Sequence, residues 1–207
     1  MMTFDNLTPT GLSDLAYCPT GRLFYMNKRM PNNGVTTKLT VIGKFEHSVI
    51  EQFYKLTKID WKELDAFQND KKLDSRISLA VQDSIEVSRK NFPLFFDCLE
   101  ENLDPITYRL KYLNEIKSQQ IKKLLKKGIS YDSAVNITLP FVIEKWLSSK
   151  KYGIRGIADL LFYNADGSIT IEDIKSHNDM YDALIHRSAH VAQGNTYAIL
   201  AEEVYGK

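Results

Sequence analysis

Between Gly153 and Lys175 an apolar β-pattern is interrupted by charge where charge is most costly. The stretch Ile154-Arg155-Gly156-Ile157-Ala158-Asp159-Leu160-Leu161-Phe162 reads as one strand and Ile169-Thr170-Ile171-Glu172-Asp173-Ile174-Lys175 as the next. An ionised carboxylate at Asp159, between Ala158 and Leu160, is unfavourable unless it is paired or bound to a metal. Side chains alternate along a strand, so Asp173 and Lys175 share a face with Ile169 and Ile171, and Asp159 shares one with Ile157 and Leu161. Asp159 meets Asp173 only if odd-numbered residues pair with odd. A loop of Asn164 to Gly167 would pair Tyr163 with Ser168 and send Asp159 to the wrong side, so the expected connection is Asn164 to Ser168 or contains a bulge. The competing arrangement is an exposed strand end at Asp159 and a surface ion pair between Asp173 and Lys175. Two acids and a lysine held together suit a hard divalent cation and an oriented water, the requirements of phosphodiester hydrolysis.

Two further segments carry candidate chemistry. From about residue 183 to 204 the pattern is helical, and His186, His190, Gln193, Tyr197 and Ala201 recur every three or four residues along one stripe. Gln193 and Tyr197 offer hydrogen-bonding ends suited to a nucleotide or a catalytic group, although a stripe of this kind also suits a solvated face. The two histidines have metal-ligand spacing without the glutamate of a zinc-protease motif, and they read as surface or substrate-facing residues. Residues 38–56 read as one helix, with Phe45, Val49, Phe53 and Leu56 on its apolar side and His47, Glu51 and Tyr54 on the other. A histidine so placed serves packing as readily as ligation.

In order, Gly156-x-x-Asp159, Asp173-Ile174-Lys175 and Gln193-x-x-x-Tyr197 resemble the PD-(D/E)xK nuclease superfamily, specifically its RecB-like branch, which includes the nucleases of CRISPR spacer acquisition. Gly43-Lys44-Phe45-Glu46-His47 resembles that branch's histidine-bearing helix, and Leu15-Ala16-Tyr17-Cys18-Pro19 its N-terminal cysteine segment. The resemblance implies a Mg²⁺ or Mn²⁺ site formed by His47, Asp159, Asp173 and the carbonyl of Ile174, with Lys175 beside the attacking water and Asp159, Asp173 and Lys175 as the catalytic set. It also implies an accessory acid at Glu144 and DNA as substrate. The CRISPR-associated members usually hold an iron–sulfur cluster on four cysteines. With only Cys18 and Cys98 here, no cluster is expected. The chain ends soon after the Gln193/Tyr197 helix, where related proteins run on into further strands, and both a compact variant and a shortened chain stay open.

The rest of the chain sets the bounds. A chain of 207 residues can form a single domain that buries roughly 70% of its unfolded surface. The expected fold is α/β, a mixed central sheet flanked by helices with a restriction-endonuclease-like core and a helical insertion at about 58–130, broken at Phe92-Pro93 and Asp104-Pro105. Lys plus Arg number 27 against 26 for Asp plus Glu, so attraction to nucleic acid has to come from local patches. The clearest basic run is Lys117 with Lys122, Lys123, Lys126 and Lys127, which suits phosphates or a solvated face equally. Nearby Tyr108, Tyr112 and Tyr131 would favour single-stranded substrate if they stack on bases, and could equally be core. Arg155, close to Asp159, is the better placed phosphate ligand, with Gln193 and Tyr197 as the other substrate contacts. No signal-like or membrane-length apolar segment is present, so a soluble cytoplasmic protein is expected, with homo-oligomerisation left open. The reading is thus a metal-dependent deoxyribonuclease; the alternatives are a catalytically silent DNA-binding or scaffold protein and a junction-resolving endonuclease on the same fold.

Overall fold

The computed structural model describes Pro9, residues 37–62, Phe67, residues 71–175 and residues 187–206. These contain six α-helices, a short 3-10 turn and a three-stranded antiparallel sheet. The described residues fall into two compact units. One holds 144–161, 166–175 and 187–206 with Pro9, and the other holds 37–62, Phe67, 71–143 and 162–165. The Leu15–Pro19 segment and His186 of the sequence reading lie outside the described residues.

The helical unit begins with α1, Lys38–Asp60, whose first turn is closed by Thr37, its hydroxyl accepting from the N–H of Thr40 at 3.2 Å. Val41, Phe45, Val49 and Phe53 form its buried stripe at helical spacing, and the chain leaves it through the fully buried Trp61. Tyr54, expected beside His47, is also buried, its ring 6.3 Å from that of Phe162 in an edge-on contact.

Helix α1 packs on α2, Leu73–Asn91. There Arg76 is buried and paired, donating to Asp60 Oδ2 and to Asn114 Oδ1, each at 3.1 Å. A buried cation needs such partners to be tolerated.

Helix α2 stops before Pro93 as the sequence suggests, followed by the 3-10 turn Pro93–Phe95 and a short α3, Phe96–Glu100. The second break falls at Glu101 and Asn102, ahead of the position expected, because α4 spans Leu103–Lys126 and takes Pro105 into its first turn. Proline is harmless there, since the N–H it lacks would have had no partner in the helix. Helix α4 ends at Gly128, whose φ of +81° lets its N–H reach Leu125 O and that of Ile129 reach Leu124 O. Helix α5, Tyr131–Thr138, follows. The unit thus takes in the expected insertion together with α1.

The strands are β1, Val142–Ser149; β2, Ile154–Tyr163; and β3, Ile169–Glu172; they lie in the order β1-β2-β3. Strand β2 is central and buried from Ala158 to Phe162, consistent with its apolar run. The parallel pairing that a mixed sheet requires is not among the described residues. Helix α6, Arg187–Tyr205, packs on β3. No helix among the described residues is long and apolar enough to cross a membrane.

Candidate metal and catalytic site

The link between β2 and β3 is Asn164 to Ser168, the length that parity demands. Asp166 closes it by accepting from both the N–H and the hydroxyl of Ser168, at 2.9 and 2.7 Å, and Gly167 supplies the positive φ of the turn. These contacts lower the carboxyl pKa of Asp166, the hydroxyl bond of Ser168 contributing most.

With this register Asp159, only 7% exposed, receives the backbone N–H of Ile174 on Oδ2 at 2.7 Å. That bond explains why β3 is shorter than the sequence suggests. The ladder ends at Glu172 because the next inward N–H is directed to a carboxylate instead of a neighbouring strand. Asp173 and Lys175 sit just past the strand end, with Lys175 Nζ 2.7 Å from Asp173 Oδ2. The resemblance assigned the carbonyl of Ile174 to a cation; its N–H is already part of the site.

Helix α6 supplies the other side of this group. Gln193, Thr196, Tyr197 and Ala201 are buried, so the polar stripe faces the protein. Gln193 Nε2 donates to Asp173 Oδ1 at 3.4 Å. Burial, reinforced by the negative charge of Asp173, Asp159 and Glu144, pushes the Tyr197 hydroxyl up to about 12, against a smaller opposing effect of its hydrogen bond with Gln193. Tyr197 therefore stays neutral near these acids at any physiological pH. His190 is half-buried.

Gly156 allows this packing. A Cβ there would lie 2.5 and 2.6 Å from the ring carbons of Pro9 and 3.3 Å from Tyr197 Cε1. Such a close approach leaves room only for glycine.

Glu144 is the site residue whose geometry could not be read from the sequence. It has a φ of +48° within β1. Around it the inside–outside alternation slips, since Lys145 and Trp146 are both exposed while Val142, Leu147 and Ser149 are buried. A left-handed non-glycine residue costs about 1–3 kcal/mol. Glu144 and Asp159 each offer a carboxylate oxygen, and the two lie within 4.8 Å of one another. Such oxygens are hard donors that a divalent cation such as Mg²⁺ or Mn²⁺ accepts. Asp173, expected as a ligand, has its oxygens engaged by Lys175 and Gln193. His47, the other expected ligand, lies on α1 in the helical unit.

Several other sequence candidates separate on the structure. Arg155 is exposed, its guanidinium 5.7 Å from the ring centre of Trp146. Lys117 is only 8% exposed, with Nζ 4.1 Å from the Phe162 ring centre, and so leaves the basic run; Lys122, Lys123, Lys126 and Lys127 remain exposed. Tyr131 is structural, its hydroxyl donating to Trp61 O at 2.9 Å and its ring 5.7 Å from Phe67, whereas Tyr108 and Tyr112 are exposed.

A family model for the PD-(D/E)XK nuclease superfamily matches residues 6–207, and the chain belongs to that superfamily. Its members are usually metal-dependent nucleases, with nucleic acid as substrate. No curated protein and no solved structure matches the chain.

Proposed function

We propose that the protein is a Mg²⁺- or Mn²⁺-dependent deoxyribonuclease of the RecB-like branch, acting on DNA in the cytoplasm. The observation that carries this reading is the 2.7 Å bond from Ile174 N–H to Asp159, which ties the buried acid of β2 to the Asp173-Ile174-Lys175 segment. The order of motifs from the His47 helix to Gln193 and Tyr197 supports the RecB-like assignment.

In this reading Glu144 and Asp159 would hold the cation, joined by His47, Asp173 and the carbonyl of Ile174 as the resemblance implies. The cation would supply a Lewis acid for the scissile phosphate and lower the pKa of a nearby water. The chain's own residues do the remainder. Lys175 donates hydrogen bonds to the water or to the charge that builds on the phosphate, and Asp173 fixes the ammonium in place until then. Gln193 orients Asp173, and neutral Tyr197 closes the site against bulk water without adding a fourth negative charge. Arg155 binds a phosphate of the same strand.

The test is cleavage of linear, circular and branched DNA in Mg²⁺ or Mn²⁺ by the wild type, Asp173→Ala and Lys175→Ala, alongside binding in Ca²⁺. Both variants are expected to lose activity by roughly a thousandfold or more while binding survives. Ca²⁺ should occupy the site yet support little cleavage, because its looser coordination orders water and phosphate less strictly. Equal cleavage by all three proteins, or binding without cleavage by the wild type in every metal, would sink the reading; the latter is what a silent scaffold would show.

A further inference from the structure

Resting on the nuclease reading, we propose that Trp146 and Arg155 form a clamp for an unpaired stretch of DNA, the indole stacking on a base and the guanidinium holding a neighbouring phosphate. The chain has two tryptophans. Trp61 is fully buried, whereas Trp146 is 60% exposed in the middle of a strand. Leaving so large an apolar ring in water is unfavourable unless something covers it. It lies two residues from Glu144, a proposed cation ligand whose φ is +48°, and the neighbouring Lys145 is exposed as well.

The occupant follows from the groups around the ring. Arg155 lies over it, and no carboxylate among the described residues pairs with that guanidinium. Lys145, next to Trp146, is also exposed. Lys145 is itself turned to another ring, its ammonium 5.6 Å from the centre of Tyr205, so Arg155 is the cation at the indole. An aromatic plane with a guanidinium over it complements a polyanion that carries flat bases, and it offers less to an acidic surface without them. Strand alternation puts Arg155 on the face of β2 that bears Asp159, about 13 Å further along the strand. In a duplex the bases are stacked on one another and turned inward. A side chain on a strand surface can therefore stack only on an unpaired base, and the clamp selects single-stranded DNA or a frayed end.

The burial of Trp61 makes the test direct, because binding at the clamp alters the emission of Trp146 alone. The full-length protein, held in Ca²⁺, is titrated with oligothymidylate and with a duplex of equal length. Oligothymidylate should quench the fluorescence, and the duplex should not. Trp146→Phe should abolish the quenching while keeping most of the affinity, and Trp146→Ala should weaken single-strand binding roughly tenfold. Arg155→Ala should lower the slope of log affinity against log salt by about 0.7. Trp146→Ala should melt at the wild-type temperature, since an exposed ring is removed. Quenching that persists in Trp146→Phe, equal quenching by the duplex, or unchanged single-strand affinity in Trp146→Ala would overturn the clamp. Cleavage is not read in this experiment. Binding without any cleavage elsewhere would remove the nuclease reading and leave the clamp, whereas a cleaving protein indifferent to Trp146→Ala would remove the clamp alone.

Discussion

Helices α4 and α6 both show polar stripes in the sequence, and the two stripes end up in opposite places. On α4 the stripe of Tyr108, Tyr112, Lys122, Lys123 and Lys126 is exposed, and Leu110 and Ile121 are buried in the usual sense of an amphipathic helix. On α6 Gln193, Thr196 and Tyr197 are buried while Val191, Ile199 and Val204 face outward. Periodicity identifies which residues share a stripe. It does not say which stripe turns inward, because that depends on what the facing surface can bond. Asp173 gives Gln193 a partner, and the absence of a side chain on Gly156 gives the Tyr197 ring its place. The inversion on α6 is thus stabilised by the acids it serves.

The largest test of this contrast exchanges the two stripes' roles. Gln193→Ala and Tyr197→Phe are each expected to reduce cleavage by about ten- to a hundredfold, with DNA affinity in Ca²⁺ little changed, because they position Asp173 and line the site. Replacing Lys122, Lys123, Lys126 and Lys127 together with alanine should leave turnover at saturating DNA intact and weaken binding only at low salt. A quadruple variant that loses more turnover than Tyr197→Phe would reverse the assignment of the two helices.

Stability measurements sharpen the same contrast within and beyond α4. Lys117 is held against the Phe162 ring, so Lys117→Ala should cost about 1–2 kcal/mol, whereas Lys122→Ala should stay within about 0.5 kcal/mol. Gly156→Ala should cost about 1–3 kcal/mol, because the added methyl group meets the rigid ring of Pro9 and the edge of Tyr197. Thermal melting of the three variants ranks them. A Lys117→Ala protein as stable as Lys122→Ala would return Lys117 to the solvated basic run where the sequence had put it.

The strand pair was readable because parity is a strict rule. The Asn164–Ser168 link and the inward Asp159 follow from a period of two once Asp159 is required to face Asp173. The Asp173–Lys175 ion pair, by contrast, lies past the strand end and belonged to the competing arrangement. The α1 stripe and the stop before Pro93 were equally visible, since each depends on neighbours in sequence. Three features were not. Pro105 looked like a helix break, but its effect depends on being the third residue of a turn, and the start of α4 is set by packing. Lys117 looked like its exposed neighbours because a run of lysines does not reveal that an aromatic ring waits beside one of them. Glu144 was legible as an acid on the preceding strand, but nothing in Val142-Ile143-Glu144-Lys145-Trp146 announces a positive φ, which the tertiary structure imposes on a residue with no local preference for it.

The smallest expected effect is also the most selective for the inverted stripe, and it lies at alkaline pH. The Tyr197 hydroxyl is raised from 10 to about 12 in the folded chain, chiefly by burial and then by the nearby acids. The folded state therefore holds this proton more tightly than the unfolded state. Its contribution to stability is complete below about pH 10 and is lost as pH rises through about 12, since the unfolded chain binds fewer protons across that window. The residue is buried but its hydroxyl keeps a hydrogen bond with Gln193 that opposes the shift, so the loss is on the order of 1 kcal/mol. Other tyrosines and the lysines titrate in the same range, and comparison with Tyr197→Phe cancels them. Urea unfolding of both proteins in chelator should show the wild type losing about that much stability relative to the variant between about pH 9 and pH 12. Parallel curves would mean that Tyr197 ionises as it does in the unfolded chain, which would make the α6 stripe a solvated face like that of α4.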